Sequence, residues 1–220
     1  MTRNLRAAVL VSGGLDSDVL LAQMGESCRE LTPIYVRQGL RWEAVELYWL
    51  RRFLAALKNP RIQSLKIFSL PMKDVYGRHW SMGHQAVPGA RTRDEAVFLP
   101  GRNLLLTVKA AVFCALQRIP VLALAPLGGN PFPDATPAFF KAWQKTLSDA
   151  LAWNIQMSTP FRALEKQAVI RAGRRFPLWL SFSCLAPRGR LHCGRCNKCA
   201  ERRQAFRKAG VEDKTVYAKK

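Results

Sequence analysis

The chain has 220 residues, 49% of them hydrophobic, and carries 35 Lys and Arg against 15 Asp and Glu, a formal net charge of +20. That length suits one domain, or one domain with a small appendage, and is enough to bury a substantial core. The longest apolar run, near Leu104 to Leu116, is broken by Lys109 and falls well short of the ~20 residues a bilayer span requires, so a membrane-spanning helix is excluded.

In chain order, residues 7–11 form a short apolar strand. It is followed by Ser12-Gly13-Gly14-Leu15-Asp16-Ser17 and then by a helical pattern over 18–24. A strand, a glycine turn and a helix start together make an anion site. Glycine lets the backbone approach a ligand closely, and the helix N-terminus offers unpaired N–H groups and a partial positive charge. Ser12 and Ser17 add hydroxyls. Asp16 would repel a phosphate unless a divalent cation stood between them, which points to Mg²⁺. The loop is neither a Walker loop, lacking Gly-Lys-Ser/Thr, nor a dinucleotide fingerprint, lacking Gly-x-Gly-x-x-Gly.

Further strands are predicted at 31–36, 65–68 and 121–125, and helices at 42–57, 103–116 and 137–153. This alternation predicts an α/β fold with a doubly wound, mostly parallel sheet. Ligands in such sheets bind beyond the carboxyl ends of the strands. The loop with Arg41 and Glu43 lies near that edge and serves either function or solvation. Residues 71–98 are the least readable; His79 and His84 could ligate metal or line a pocket, or be ordinary loop histidines. In Pro100-Gly101-Arg102-Asn103, Arg102 is suited to meeting a phosphate bidentately, and Asn103 to capping a helix or contacting a base. Asp134 is the only acid of the 126–136 loop. It either recognises a polar substrate edge or caps the helix beginning near Pro137. Residues 155–166 read as a short strand, a turn and a helix bearing Glu165 and Lys166. On local pattern alone Lys166 is a surface lysine.

Cys184, Cys193, Cys196 and Cys199 are spaced C-x8-C-x2-C-x2-C. Four thiolates at this spacing close a tetrahedral shell around a structural Zn²⁺ with no open position. His192 is then a neighbour, and Cys28 and Cys114 are core residues. Rival readings are sulfur transfer, and a zinc ribbon gripping nucleic acid through Arg188, Arg190, Arg195, Lys198, Arg202 and Arg203.

The 12–17 loop closely resembles the PP-loop of the ATP pyrophosphatases. Arg41 with Glu43, Pro100-Gly101-Arg102-Asn103, Pro133-Asp134, Thr159-Pro160, Lys166, the four cysteines, and then Arg202, Ala205-Phe206, Gly210-Val211, Asp213, Thr215 and Tyr217 follow in order. Together these residues resemble the 7-cyano-7-deazaguanine synthase family. The resemblance implies a PP-loop, adenine-nucleotide-hydrolase-like domain over residues 1–180, with a four-cysteine zinc segment over 181–220 packed on it. It implies a C–N ligase that adenylates 7-carboxy-7-deazaguanine with ATP, amidates it with ammonia, and dehydrates the amide with a second ATP, releasing AMP and pyrophosphate. Asp16, Ser17, Arg102 and Lys166 would be catalytic. Ser12, Gly13, Gly14, Leu15, Asp16, Ser17 and Asn103 would hold ATP with Mg²⁺, and Asp134 and Arg41 would meet the substrate. The zinc would be structural.

One departure concerns the base pocket. Where the family carries Cys-Arg after the Asp, this chain has Ala135-Thr136. An acceptor on a protein or a tRNA base is therefore the alternative, with a non-catalytic nucleic-acid-binding zinc protein as the third reading. A cytoplasmic location without membrane attachment is expected, and a homodimer is left open.

Overall fold

The computed structural model describes residues 5–219. Among these, β1 (Arg6–Leu10), β2 (Glu30–Arg37), β3 (Lys66–Ser69), β4 (Val121–Ala123) and β5 (Gln156–Ser158) form one sheet in the order β3-β2-β1-β4-β5. Every neighbouring pair is parallel. The direction of winding reverses between β1 and β4, which opens a crevice at their carboxyl ends.

The helices are α1 (Leu15–Ser27), α2 (Glu43–Leu57), α3 (Lys73–Tyr76), α4 (Arg102–Leu116), α5 (Pro137–Leu151), α6 (Lys166–Gly173) and α7 (Asn197–Ala209). Alternation along β1 divides the core. Ala7 and Val9 pack with α1, α2 and α6 through Val19, Leu20, Leu50, Phe53, Val169 and Ile170. Ala8 and Leu10 pack with α4 and α5 through Ala110, Ala111, Cys114, Phe140 and Leu147. Both faces of β1 are buried, which is why it reads as an unbroken apolar run.

A third cluster joins Leu40, Trp42, Val97 and Leu99 to Phe182, Leu185 and the four cysteines. It gives the 71–98 stretch its order. The amide N–H of Asn197 donates to the Pro88 carbonyl at 2.9 Å, and the Asn197 side chain donates to Thr92 O at 2.8 Å. Trp42 and Trp80 stack with ring centroids 5.7 Å apart.

Element ends differ from the sequence pattern for local reasons. α1 begins at Leu15, three residues earlier than expected, because Gly14 in an extended conformation is its N-cap. α5 ends at Leu151, where Ala152 turns to φ +46°. Glu165 lies outside α6 as its N-cap, with φ −89° and ψ 158°. The 181–219 stretch is bound into the main body. Phe182 N–H donates to Gly13 O at 2.6 Å, and Ala205 and Phe206 belong to the first core. Among the described residues, no helix is long and apolar enough to cross a membrane.

Candidate active site

The phosphate-type loop is shaped by two glycines. Gly13 holds φ +69°, and a Cβ there would stand 3.0 Å from Glu46 O and 3.3 Å from Leu50 Cβ. Only glycine satisfies both the angle and the space. The hydroxyls of Ser12 and Ser17 brace the turn: Ser17 Oγ donates to Gly14 O at 2.9 Å, while Ser12 Oγ accepts from Gly14 N at 3.2 Å and stands 3.3 Å from Ser17 Oγ. Leu15 is buried in the core, so it can offer the cleft only its backbone. Asp18 N already bonds Gly14 O. The N–H groups of residues 15–17 are the unspent helix-start donors.

A cavity of about 200 Å³ lies above this loop, lined by Ser12, Gly14, Asp16, Ser17, Tyr35, Arg102 and Asn103, among others. It occupies the carboxyl ends of β1, β2 and β4. Arg102, the first residue of α4, has a buried Nε without a hydrogen-bond partner. Asp16 likewise has a buried Oδ1 with no partner. Unspent buried donors and acceptors of opposite charge across one cleft fit a phosphate chain with a bridging cation.

A second cavity of about 370 Å³ shares Asp16, Ala125, Pro126 and Asn130 with the first. It adds Asp94, Phe132, Glu165, Lys166, Lys198 and Glu201. Here the surface reading of Lys166 fails, because α7 lies over α6. Lys166 Nζ is 3.3 Å from Asp16 Oδ2 and 2.6 Å from Glu201 Oε1, and its side chain is only 19% exposed. Burial opposes its charge, but Asp16 and Glu201 outweigh burial and raise its pKa. Burial likewise opposes the Glu201 carboxylate, yet Lys166 and Lys198 hold it down at about 2. Burial raises the Asp16 pKa against the pull of Lys166.

The four cysteine sulfurs lie within 4.8 Å of one another and all four residues are buried. Cys193 and Cys199 sulfurs are 4.0 Å apart, as are those of Cys184 and Cys196. Backbone N–H groups point at them: Cys193 N to Cys184 Sγ at 3.2 Å, Leu185 N to Cys196 Sγ and Cys196 N to Cys193 Sγ at 3.4 Å. Converging sulfurs with N–H donors favour thiolates and fit a tetrahedral zinc. His192 is a neighbour; its Nε2 accepts from Ser183 N at 3.1 Å.

The sequence model of the family described as "Queuosine biosynthesis protein QueC" matches residues 6–210. The chain belongs to that family. A 7-cyano-7-deazaguanine synthase of Rhizobium leguminosarum is 31% identical over 226 residues, covering 97% of this chain and 92% of the relative. A 7-cyano-7-deazaguanine synthase of Methanocaldococcus jannaschii is 27% identical over 97% of this chain and 99% of the relative. Among solved structures, a 4-thiouridine synthetase–RNA complex with bound ATP superimposes at a TM-score of 0.46 and 11% identity, over 93% of this chain and 50% of that one.

Within this QueC-family chain, the 12–17 loop, Arg102, Asn103 and Lys166 converge on the two joined cavities, whereas Arg41 and Asp134 line neither. Arg41 is exposed, and its Nη1 donates to Gln85 O at 2.8 Å. Asp134 is a helix cap, but of α4 and not of the helix at Pro137. Its Oδ2 accepts from Asn103 N at 2.8 Å, while Thr136 Oγ1 caps α5 by accepting from Phe139 N at 3.1 Å. Asn103 is not the cap of its own helix; its amide donates to Asp134 O at 3.1 Å. Glu43 is buried and braces the preceding loop, accepting from Gly39 N at 3.0 Å. His79 packs between Tyr76 and Trp80, and His84 is exposed. Arg202 is not a basic surface group. It is 2% exposed and donates to Thr215, Ser181, Ser183 and Leu178 O.

Tyr35, Glu46 and Glu201 belong to the site's surroundings and were missed in the sequence. Tyr35 sits inside an apolar strand and Glu46 in the acidic first turn of an amphipathic helix. No local signal distinguishes either from ordinary structural residues.

Proposed function

We propose that the chain is a 7-cyano-7-deazaguanine synthase. The carboxylate of 7-carboxy-7-deazaguanine attacks the α-phosphorus of ATP, giving an acyl-adenylate and pyrophosphate. Ammonia displaces AMP to give the amide. The amide oxygen attacks the α-phosphorus of a second ATP, expelling a second pyrophosphate, and then leaves carbon as part of AMP, while loss of both amide protons completes the nitrile. Convergence of the loop, Asp16, Arg102 and Lys166 on two cavities joined at Asp16 is the observation that carries this reading; family membership supplies the acceptor.

Catalysis of this kind is positioning and charge neutralisation. The N–H groups of residues 15–17 would cradle the phosphates. Arg102 would pair the phosphate oxygens from the α4 side and Lys166 from the α6 side. Asp16 would hold Mg²⁺, which supplies further neutralisation when bound. Zn²⁺ held by Cys184, Cys193, Cys196 and Cys199 would fix the C-terminal segment.

The test is incubation with Mg-ATP, ammonium and 7-carboxy-7-deazaguanine, with products weighed by mass spectrometry and Asp16→Asn as control. Nitrile, AMP and pyrophosphate, lost in the variant, are expected. ADP as product would sink the reading. Turnover that stalls at the acyl-adenylate or amide would overturn the small-molecule end point and point to a protein or tRNA acceptor.

A further inference from the structure

Lys166 is held more closely by the C-terminal helix than by the phosphate loop. Its ammonium is 2.6 Å from Glu201 Oε1 on α7 and 3.3 Å from Asp16 Oδ2. The other Glu201 oxygen accepts from Lys198 Nζ at 2.7 Å, one turn earlier on the same helix, and Lys198 stands 3.8 Å from Asp94. Five charges thus alternate in sign from the loop to the 71–98 stretch, and all five residues line the second cavity. Glu201 bridges both lysines, so it is the member whose loss would uncouple the chain.

The start of α7 is fixed by the cysteine centre. Cys196 is the N-cap of the helix and Cys199 lies in its first turn, two residues before Glu201. We propose that Glu201 is the positioning residue for Lys166, keeping its ammonium from a tighter pair with Asp16 and aimed at the cavity shared by nucleotide and acceptor. On this view the cysteine segment is part of the catalytic apparatus and more than a staple. The proposal rests on the nucleotide-binding reading above.

The physical argument is a competition. Without Glu201, Asp16 is the remaining anion within 4 Å of the Lys166 ammonium among the described ion pairs. Their existing 3.3 Å pair would tighten and draw the ammonium away from the acceptor, while the loop N–H groups and Arg102 would still hold the nucleotide phosphates. Removing Glu201 also deletes an acid beside a polyphosphate site, which by itself favours anion binding. Turnover and nucleotide affinity should therefore move apart, a split that general structural damage does not produce.

The experiment compares Glu201→Gln with the parent chain in two measurements: steady-state turnover, and calorimetric affinity for α,β-methylene-ATP with Mg²⁺. We expect kcat to fall about 10- to 100-fold while affinity for the analogue is unchanged or tighter. A kcat within about twofold of the parent, or kcat and affinity falling together, would overturn the proposal. If the Gln variant does not fold, Glu201→Asp, which keeps the charge one methylene shorter, must show the same split. A parent chain that binds no analogue would instead overturn the nucleotide reading on which the proposal rests.

Discussion

Tyr35 donates its hydroxyl to Glu46 Oε2 at 2.7 Å, joining β2 to α2 beneath the nucleotide-type cleft. Burial pushes the Glu46 carboxyl up to about 7, against the opposing pull of Arg102 and the Tyr35 hydrogen bond. A carboxyl raised on folding favours the protonated native state. Its contribution is fully present below the unfolded pKa, near 4.5, and is lost as pH rises through about 7. Chemical denaturation should therefore show stability falling between about pH 4.5 and pH 7 more steeply in the parent than in Glu46→Gln. The expected difference is on the order of 1–3 kcal/mol, and parallel pH profiles would refute it.

Arg102 has its Nε buried and unpartnered at the mouth of α4. Arg102→Met should leave the thermal midpoint nearly unchanged and lower kcat/KM by about 10²- to 10³-fold, as expected for a charge acting on the transition state. Arg102→Lys should recover only part of this, since an ammonium lacks the planar fork. Steady-state kinetics with unfolding controls would decide it.

Gly13 and Gly39 both have positive φ, but only Gly13 has backbone in its way. Gly13→Ala should cost about 1–3 kcal/mol and weaken ATP binding as the loop shifts from Glu46 O. Gly39→Ala should cost roughly 1 kcal/mol with nucleotide affinity intact. Equal effects of the two on affinity would show that the close approach at Gly13 does not set the loop.

Cys199 is buried at the junction of the metal-type cluster and the third core. Elemental analysis should find one zinc per chain, and Cys199→Ser should lose it. Without the metal the third core keeps only its packing and hydrogen bonds such as Asn197 N to Pro88 O, and a stability loss on the order of 3 kcal/mol or more follows. A parent chain that purifies without metal and melts unchanged after chelation would contradict this.

Asp134 spends a carboxylate oxygen on the first turn of α4. Asp134→Ala should cost about 1–2 kcal/mol, the usual value of a lost N-terminal cap, with little change in KM for the deazaguanine acid. A large KM increase at unchanged stability would instead make Asp134 a substrate contact.

What the sequence revealed was whatever lies contiguously in it. The 12–17 loop and the four cysteines carry their chemistry in their spacing, and β1 carries its burial in an unbroken apolar run. Residues placed by packing between distant elements were hidden. Lys166 looks like an exposed helix residue until α7 covers it. Arg202 looks like one more surface charge until its guanidinium is seen among Thr215, Ser181, Ser183 and Leu178. The 71–98 stretch has only short helical pieces of its own; its order comes from Asn197 and the cysteine cluster, about a hundred residues later in the chain.

The central place of β1 has a consequence for synthesis. Ala7, Ala8 and Val9 pair on one side with residues 31–33, but on the other with residues 121–123. While the chain emerges from the ribosome, β1 gains its first partner early and waits for the second through nearly ninety further residues. Throughout that interval an apolar strand edge is open to pairing with other chains. Slow elongation before residue 121, or a shortage of chaperones, should therefore send this protein into aggregates even where the finished fold is stable.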